Sequence, residues 1–325
     1  MPLLGTEEHV DTTRLDREPF QFRHGLMDHP ALSLRSLAEV LPALPPDQVM
    51  YSRKLDDLST NFDTAHIDYK NGLSIEETIE NIRTSSSYIA VRKPETHPVF
   101  KALATALAHD IGALMRRQGT GTKPEDLELW LFIASPNAIT PFHFDRFSNF
   151  LLQIRGGKQL AVFKPWNHEV LDPRAYESHV ARVEPRMDWH PDKDRFAMKY
   201  QLAPGQGVHI PFLGGHYVQN GPEDASITLS VFFHNDETER WSRALLTNHI
   251  LRKRLGRFGF TPNAVHTPAS RDALKAAAYP LVRHANRALN LMERGLRFAR
   301  RGAGTALSAA AAGEPLAALL NTYTP

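Results

Sequence analysis

The segment Thr140-Pro141-Phe142-His143-Phe144-Asp145 sets an imidazole and a carboxylate two residues apart. On a β-strand that spacing puts His143 and Asp145 on one face, with Phe142 and Phe144 on the other. One imidazole and one carboxylate make two-thirds of a facial triad, a ligand set that holds a metal on one side and leaves the other side open to reactants. The missing histidine must come from another part of the fold. Ile210-Pro211-Phe212-Leu213-Gly214-Gly215-His216 offers one: a strand, a tight glycine turn, and His216 where the chain starts back. His209, on the strand before that turn, is the rival third ligand, although a buried histidine facing the barrel accounts for it more simply. A lone His-x-Asp in a chain with 16 histidines is a weak signal, and a hydrogen-bonded surface pair would explain it. Its position between apolar strands is what favours a metal.

The elements that position these residues are readable in outline. Residues 129–134 form an apolar run of strand length, followed by a Ser-Pro-Asn turn and strands expected over 140–145, 150–154 and 159–163. Further strands are expected at 199–202, 207–210 and 227–233. Short strands punctuated by glycine and proline turns predict an antiparallel barrel or jelly roll. Upstream, the first fifty residues read as irregular, apart from a helix over 33–41 that stops against prolines. Ser74-Ile75-Glu76-Glu77 is a capping box opening a helix. A strand is expected over 88–91 and a helix over 98–115. Residues 167–196, polar and rich in Pro, Asp and His, read as an insertion. After His234 the chain turns helical: 237–255, then a helix capped by Ser270 that Pro280 breaks or kinks, then an amphipathic helix over 281–301. Leu281, Ala285, Leu289, Met292, Leu296 and Ala299 form its apolar stripe.

The stretches 133–158 and 208–216 resemble the jumonji-C or cupin-like oxygenases, and are similar in particular to the asparaginyl hydroxylases that inhibit hypoxia-inducible factor. The matching elements are Thr140 three residues before His143, the His-x-Asp itself, Asn149, Gln-Ile-x-Gly-x-Lys ending at Lys158, and Gly-Val-x-Ile-Pro before His216. The resemblance implies a double-stranded β-helix, a mainly β jelly-roll or cupin core with N-terminal and C-terminal helices. It divides the chain into N-terminal elements packing on the barrel (1–126), a catalytic core (127–236) and a basic helical region (237–325). It also implies an Fe(II)- and 2-oxoglutarate-dependent dioxygenase, a hydroxylase or a demethylase according to substrate, using O2. His143, Asp145 and His216 would be the iron ligands. Lys158 would pair with the distal carboxylate of 2-oxoglutarate, with Thr140 bonding the same group and Asn149 and Tyr88 contributing nearby. By the residues alone, Lys158 would be a solvated hairpin lysine and Thr140 an ordinary turn residue. Two departures stand out: Ser230 lies where the related hydroxylase carries an Asn, and Gly214-Gly215 replace bulky aromatics before the last ligand. Both are expected to alter the pocket near iron and so the substrate, a protein side chain or a small molecule.

Composition narrows the rest. With no cysteine among 325 residues, thiolate metal sites, disulfides and thiol nucleophiles are excluded. The first residues lack a signal peptide's basic start and apolar run, and no stretch approaches a membrane span, which together predict a cytoplasmic protein. Charge is uneven: residues 237–325 hold 14 Lys/Arg against 5 Asp/Glu, and the remainder 24 against 31. The basic tail reads as solvated helical faces, with a homodimer formed through the apolar stripe, or as a site for RNA or another anionic partner around Arg252-Lys253-Arg254, or as a membrane-surface helix. Two other functional classes remain open: a metal-binding cupin without 2-oxoglutarate chemistry, and a non-catalytic regulator that keeps the barrel as a scaffold.

Overall fold

The computed structural model describes residues 3–4, 12–58, 65–183, 189–266 and 269–311, with 295–311 described as backbone alone. Its strands are β1 (Phe20–Arg23), β2 (Val49–Arg53), β3 (Ser87–Arg92), β4 (Glu125–Ala134), β5 (Ile139–Phe144), β6 (Ser148–Arg155), β7 (Lys158–Phe163), β8 (Ala197–Leu202), β9 (Gln206–Ile210), β10 (Gly215–Asn220) and β11 (Ser226–His234). The helices are α1 (Leu34–Val40), α2 (Ala65–Asp68), α3 (Ile75–Glu80), α4 (Pro98–Gln118), α5 (Pro173–Val180), α6 (Asp236–Leu255) and α7 (Ala269–Ala311).

Strand alternation explains how these elements stack. On β4, Leu129, Leu131 and Ile133 point to one side, and Trp130, Phe132 and Ala134 to the other. On β11, Ile227, Leu229, Val231 and Phe233 share the first side and Thr228, Ser230 and Phe232 the second. The first side packs against Phe100, Leu103, Leu107 and Ile111 of α4. The strands pair antiparallel into a seven-stranded sheet, β1-β9-β6-β11-β4-β3-β2, and a four-stranded sheet, β5-β10-β7-β8. Leu151, Val208 and Ile210 of the large sheet meet Leu160, Val162, Leu202 and Val218 of the small one. This face-to-face packing forms the jelly roll. The outer face of the small sheet, Phe142, Phe144, Ala161, Phe163 and Tyr217, is covered by Tyr176 and Val180 of α5 and by Trp241 and Leu245 of α6.

Several expectations need correcting. The first fifty residues are not wholly irregular: β1 and β2 join the large sheet, their four or five residues being too short to show a clear period. Residues 167–196 do lie between β7 and β8 as an insertion, and they also hold α5, whose Tyr176, Glu177, His179 and Val180 are buried. Pro280 neither breaks nor ends a helix, and α7 runs through it as one element. Losing one backbone hydrogen bond is tolerated where the turns on both sides persist. That helix begins at Ala269, so Ser270 lies inside it rather than capping it. Its apolar stripe does not pack on the barrel over the described residues: Leu281, Leu289 and Met292 are exposed. Leu296 and Ala299 belong to the part described as backbone alone, and residues 312–325 of the Ala-rich end, like 1–2 and 5–8 of the N-terminal octet, lie outside the described residues. The cluster Arg252-Lys253-Arg254 is largely committed within the fold. Arg252 makes a two-point ion pair with buried Glu177, and Arg254 reaches Asn286, Asn290 and Glu293. No helix among the described residues is long and apolar enough to cross a membrane.

One buried carboxylate ties the N-terminal segment to the core. Asp16 accepts hydrogen bonds from Ser148 Oγ (2.6 Å), the Phe212 backbone N–H (2.9 Å) and Asn235 Nδ2 (2.7 Å). Its own backbone N–H donates to His209 Nε2 at 3.0 Å. Replacing Asp16 with Ala strands these buried donors, so urea denaturation should show a loss of about 3–5 kcal/mol. An unchanged denaturation midpoint would show the network to be dispensable.

Candidate metal centre and its cavity

β5 and β10 bring the three candidate ligands together. His143 and His216 are direct cross-strand partners, with ring centroids 4.1 Å apart. Asp145 follows the end of β5 and sets Oδ2 3.5 Å from His216 Nε2. Ligand atoms of all three residues lie within 4.8 Å of one another. Each histidine commits Nδ1 to a backbone carbonyl two residues earlier: His143 to Pro141 O (2.7 Å) and His216 to Gly214 O (3.1 Å). This fixes the tautomer and turns both Nε2 atoms toward the shared point, as metal-binding histidines require. Burial, reinforced by the charge of His143, holds the His216 imidazole well below the usual range and therefore neutral. Burial raises the Asp145 carboxyl, and its Oδ2 is buried with no hydrogen-bond partner. Two aimed imidazole nitrogens and an orphaned carboxylate oxygen fit a divalent cation that takes mixed N and O ligands.

His209 is not part of this group. It is fully buried on β9, packed between the tilted rings of Phe20 and Phe150 and hydrogen-bonded by the Asp16 amide.

A β-bulge sets the next layer. His216 pairs with His143 but Val218 pairs with Thr140, so β5 carries one extra residue at this point. Pro141, which has no N–H for the ladder, lies within the irregularity. The bulge lets Thr140 share the cavity with His143 although three residues separate them. Thr140 Oγ1 then meets the Tyr88 hydroxyl at 3.1 Å. Lys158 opens β7 four residues before Val162, the ladder partner of His216, about 13 Å along the strand. It is buried, not the solvated hairpin lysine that its Gly-Gly turn suggests. Its ammonium donates to Thr228 Oγ1 at 2.5 Å; Thr228 donates to Gln153 Oε1, and Gln153 donates to Ser226 Oγ and to the Arg155 and Gly156 carbonyls. Among the described residues no carboxylate pairs with Lys158, and burial drives its ammonium down to about 7. Asn149 Nδ2 donates to Ser230 Oγ at 3.4 Å, and both residues line the same cavity.

That cavity has a volume of about 630 Å³ and opens between the two sheets. Tyr88, Thr140, His143, Asp145, Asn149, Lys158 and Ser230 all border it. Residues 43–239 match the family model of the cupin-like domain. The chain belongs to that family. A crystallographically known conserved protein of unknown function from Streptococcus pyogenes is also similar. The identity is 13%, over 34% of this chain and 65% of that one, with a TM-score of 0.21. The chain thus spans just under two-thirds of that protein's length, and no function follows from so distant a likeness.

Within this cupin-like domain, Gly215 needs a different account from the one its sequence position suggests. A Cβ there would come within 2.8 Å of the Phe144 ring and 3.1 Å of Phe142. Those rings lie on the outer face of the small sheet, so the glycine accommodates packing there and leaves the inner pocket untouched. Sequence reasoning missed Thr228 and Gln153, which orient Lys158, and the aromatic wall of Trp130, Phe132, Phe147 and Phe232. The wall's signal was present on β4, where Trp130 and Phe132 alternate with Leu129, Leu131 and Ile133, so that both faces are apolar or aromatic, which marks a strand covered on two sides.

Proposed function

We propose that this protein is an Fe(II)- and 2-oxoglutarate-dependent oxygenase. The observation that carries the reading is Lys158. A buried ammonium without a carboxylate partner is costly to fold around, and an anionic ligand repays that cost. Tyr88 and Thr140 add hydroxyls to the same cavity, and a dicarboxylate chelating a metal at its keto-acid end needs a cation and hydroxyl donors at its other end. Cupin-like domains of this family are commonly oxygenases of this class, which also supports the reading.

His143 Nε2, His216 Nε2 and the Asp145 carboxylate would hold the iron, and Lys158, Thr140 and Tyr88 would hold the distal carboxylate. When bound, the iron couples oxidation of 2-oxoglutarate by O2 to insertion of one oxygen atom into a substrate C–H bond, leaving succinate and CO2. The chain's own part is placement and protection. Pro141 O and Gly214 O keep both imidazoles aimed, Asn149 and Ser230 flank the carboxylate ligand, and Trp130, Phe132 and Phe232 exclude water from the approach. The substrate sets the outcome: an attached hydroxyl that persists makes the protein a hydroxylase, and one on a carbon next to nitrogen makes it a demethylase. Asparaginyl specificity is not carried over, because Ser230 stands where those hydroxylases have an Asn.

The pH dependence has a defined sign. The ammonium of Lys158 sits at about 7 in the folded protein against 10.5 in the open chain. Between these values the unfolded chain holds the extra proton, so ligand-free stability rises with pH, by up to about 1.4 kcal/mol per unit, and is flat below about 7. The dicarboxylate binds the ammonium form. Above about 7, binding therefore takes up a proton, and 2-oxoglutarate affinity should fall about ten-fold per pH unit. Calorimetric titration of the Mn(II)-loaded protein in two buffers of different ionisation enthalpy checks this. An affinity that stays level from neutral to alkaline pH would remove Lys158 from the binding site.

A further inference from the structure

Gln153 opens the Gln-Ile-x-Gly-x-Lys motif that Lys158 closes, and it is buried outright, as is Thr228. Lys158 and Ser226 border the cavity; Gln153 and Thr228 do not. The two are cross-strand partners on β6 and β11. Surroundings decide how the Gln153 amide is turned. Its Nε2 lies 2.5 Å from Arg155 O, 3.0 Å from Gly156 O and 3.0 Å from Ser226 Oγ. Two of these are carbonyls, which only accept, so the NH2 group faces them and Oε1 faces Thr228. An amide oxygen also only accepts, so the single hydroxyl proton of Thr228 goes to Oε1 at 2.8 Å. Thr228 Oγ1 then has only lone pairs to offer the Lys158 ammonium, 2.5 Å away. The backbone of the β6–β7 turn thereby fixes the direction of every bond in the chain.

This chain of bonds crosses from one sheet to the other. The small sheet carries Lys158 on β7 and the candidate metal ligands on β5, just after it, and on β10. One ladder therefore sets the base of Lys158, about 13 Å along β7 from the partner of His216. It does not set the tip, because a lysine ammonium rides on a flexible four-carbon stem. The tip is held from the opposite side, by Thr228 and Gln153 of the large sheet. One of the three ammonium N–H groups is committed to that tether, which leaves two for a ligand. A cation fixed at base and tip meets a carboxylate at one distance from the metal and not at others.

We propose that Gln153, acting through Thr228, is a length gauge for the cosubstrate: it holds the Lys158 ammonium where the distal carboxylate of a five-carbon 2-oxo dicarboxylate ends, and so selects against a longer homologue. This deepens the oxygenase reading and rests on it for the identity of the ligand. Gln153 is a positioning residue, since it reaches the ligand only through Thr228 and Lys158. Without the tether the ammonium can follow a carboxylate one methylene further out. Selectivity for length is then lost while the charge contact survives.

The probes are 2-oxoglutarate, 2-oxoadipate (one methylene longer) and 2-oxovalerate (no distal carboxylate), each titrated calorimetrically into the Mn(II)-loaded full chain. The wild type should bind 2-oxoglutarate at least about ten-fold more tightly than 2-oxoadipate, the usual discrimination for one methylene. Thr228→Val, which keeps the shape and removes the hydroxyl, should bring the two acids to equal affinity. Thr228→Ser, which restores the hydroxyl, should recover the preference. Gln153→Leu should match Thr228→Val; if it does not fold, the two Thr228 variants decide. Mn(II) and 2-oxovalerate should bind wild type and variants alike, because neither reaches the ammonium, whereas general damage to the pocket would weaken both. The proposal is overturned if the wild type binds 2-oxoadipate as well as 2-oxoglutarate, or if Thr228→Val keeps the wild-type preference. It is equally overturned if Thr228→Ser loses the preference as Thr228→Val does, or if 2-oxovalerate weakens in step with 2-oxoglutarate. A wild type that binds neither dicarboxylate more tightly than 2-oxovalerate removes Lys158 from the ligand site, and the oxygenase reading falls with the gauge.

Discussion

Lys158→Met should lose about a hundred-fold in 2-oxoglutarate affinity, the value of one charge-assisted pair in a water-poor site. The same substitution should make the ligand-free protein more stable, by about 1–4 kcal/mol, because it removes a buried ammonium that no carboxylate neutralises and keeps the side chain's bulk. The opposite signs carry the information. A lysine serving the fold through Thr228 and Gln153 would lose stability on replacement; a lysine kept for a ligand gains it. Calorimetric titration and urea denaturation of the same preparation read the two effects. A variant that is less stable yet still binds 2-oxoglutarate normally would assign Lys158 to the fold.

Asp145→Ala should show the same trade at the metal. Removing an outer-shell partner typically costs 10–100-fold in metal affinity, so removal of a direct ligand should cost at least about a hundred-fold for Mn(II) or Fe(II). The apo-protein should hold or gain about 1–2 kcal/mol, since Oδ2 is buried without a partner. Electron paramagnetic resonance of free Mn(II) and thermal melts of metal-free protein measure the pair of effects. His143→Ala should match it in metal affinity. Retained metal binding in both variants would remove the triad.

Much of this site was legible before any coordinates, and the reasons differ by residue. His143 and Asp145 share a face by strand period, and their setting between apolar strands, with Thr140 before and Lys158 after, singled the pair out. Thr140 does not follow that way: period two puts it opposite His143, and only the bulge beside Pro141 returns it to the cavity. Lys158 reads as a solvated hairpin lysine until the strand after its turn is known to lie face to face with another sheet. The role of Gln153 was invisible, since its partner Thr228 comes from a strand 75 residues further on. β1 and β2 were missed because short strands completed by distant partners leave little local pattern. Of the break or kink expected at Pro280, the break is absent, because the helix continues on both sides. Gly215 was assigned to the pocket when its role is to admit Phe142 and Phe144 on the opposite face.

The exposed stripe of α7 and the basic residues of the tail carry no assigned role. Two of the three residues of the 252–254 cluster are tied up by Glu177, Glu293 and the two asparagines of α7, which leaves Lys253. The apolar positions Leu281 and Met292 stay exposed on the single chain.

The central claim is that one cavity holds a metal on His143, Asp145 and His216 and a 2-oxoglutarate on Lys158. The most direct test measures succinate and consumed 2-oxoglutarate in air with purified protein and Fe(II), in the wild type, His143→Ala and Lys158→Met. The wild type should form succinate mole for mole with the 2-oxoglutarate consumed, even slowly and without added substrate, and both variants should be at background. Absence of Fe(II) binding and of 2-oxoglutarate consumption in the wild type, or equal succinate release from His143→Ala, would contradict it.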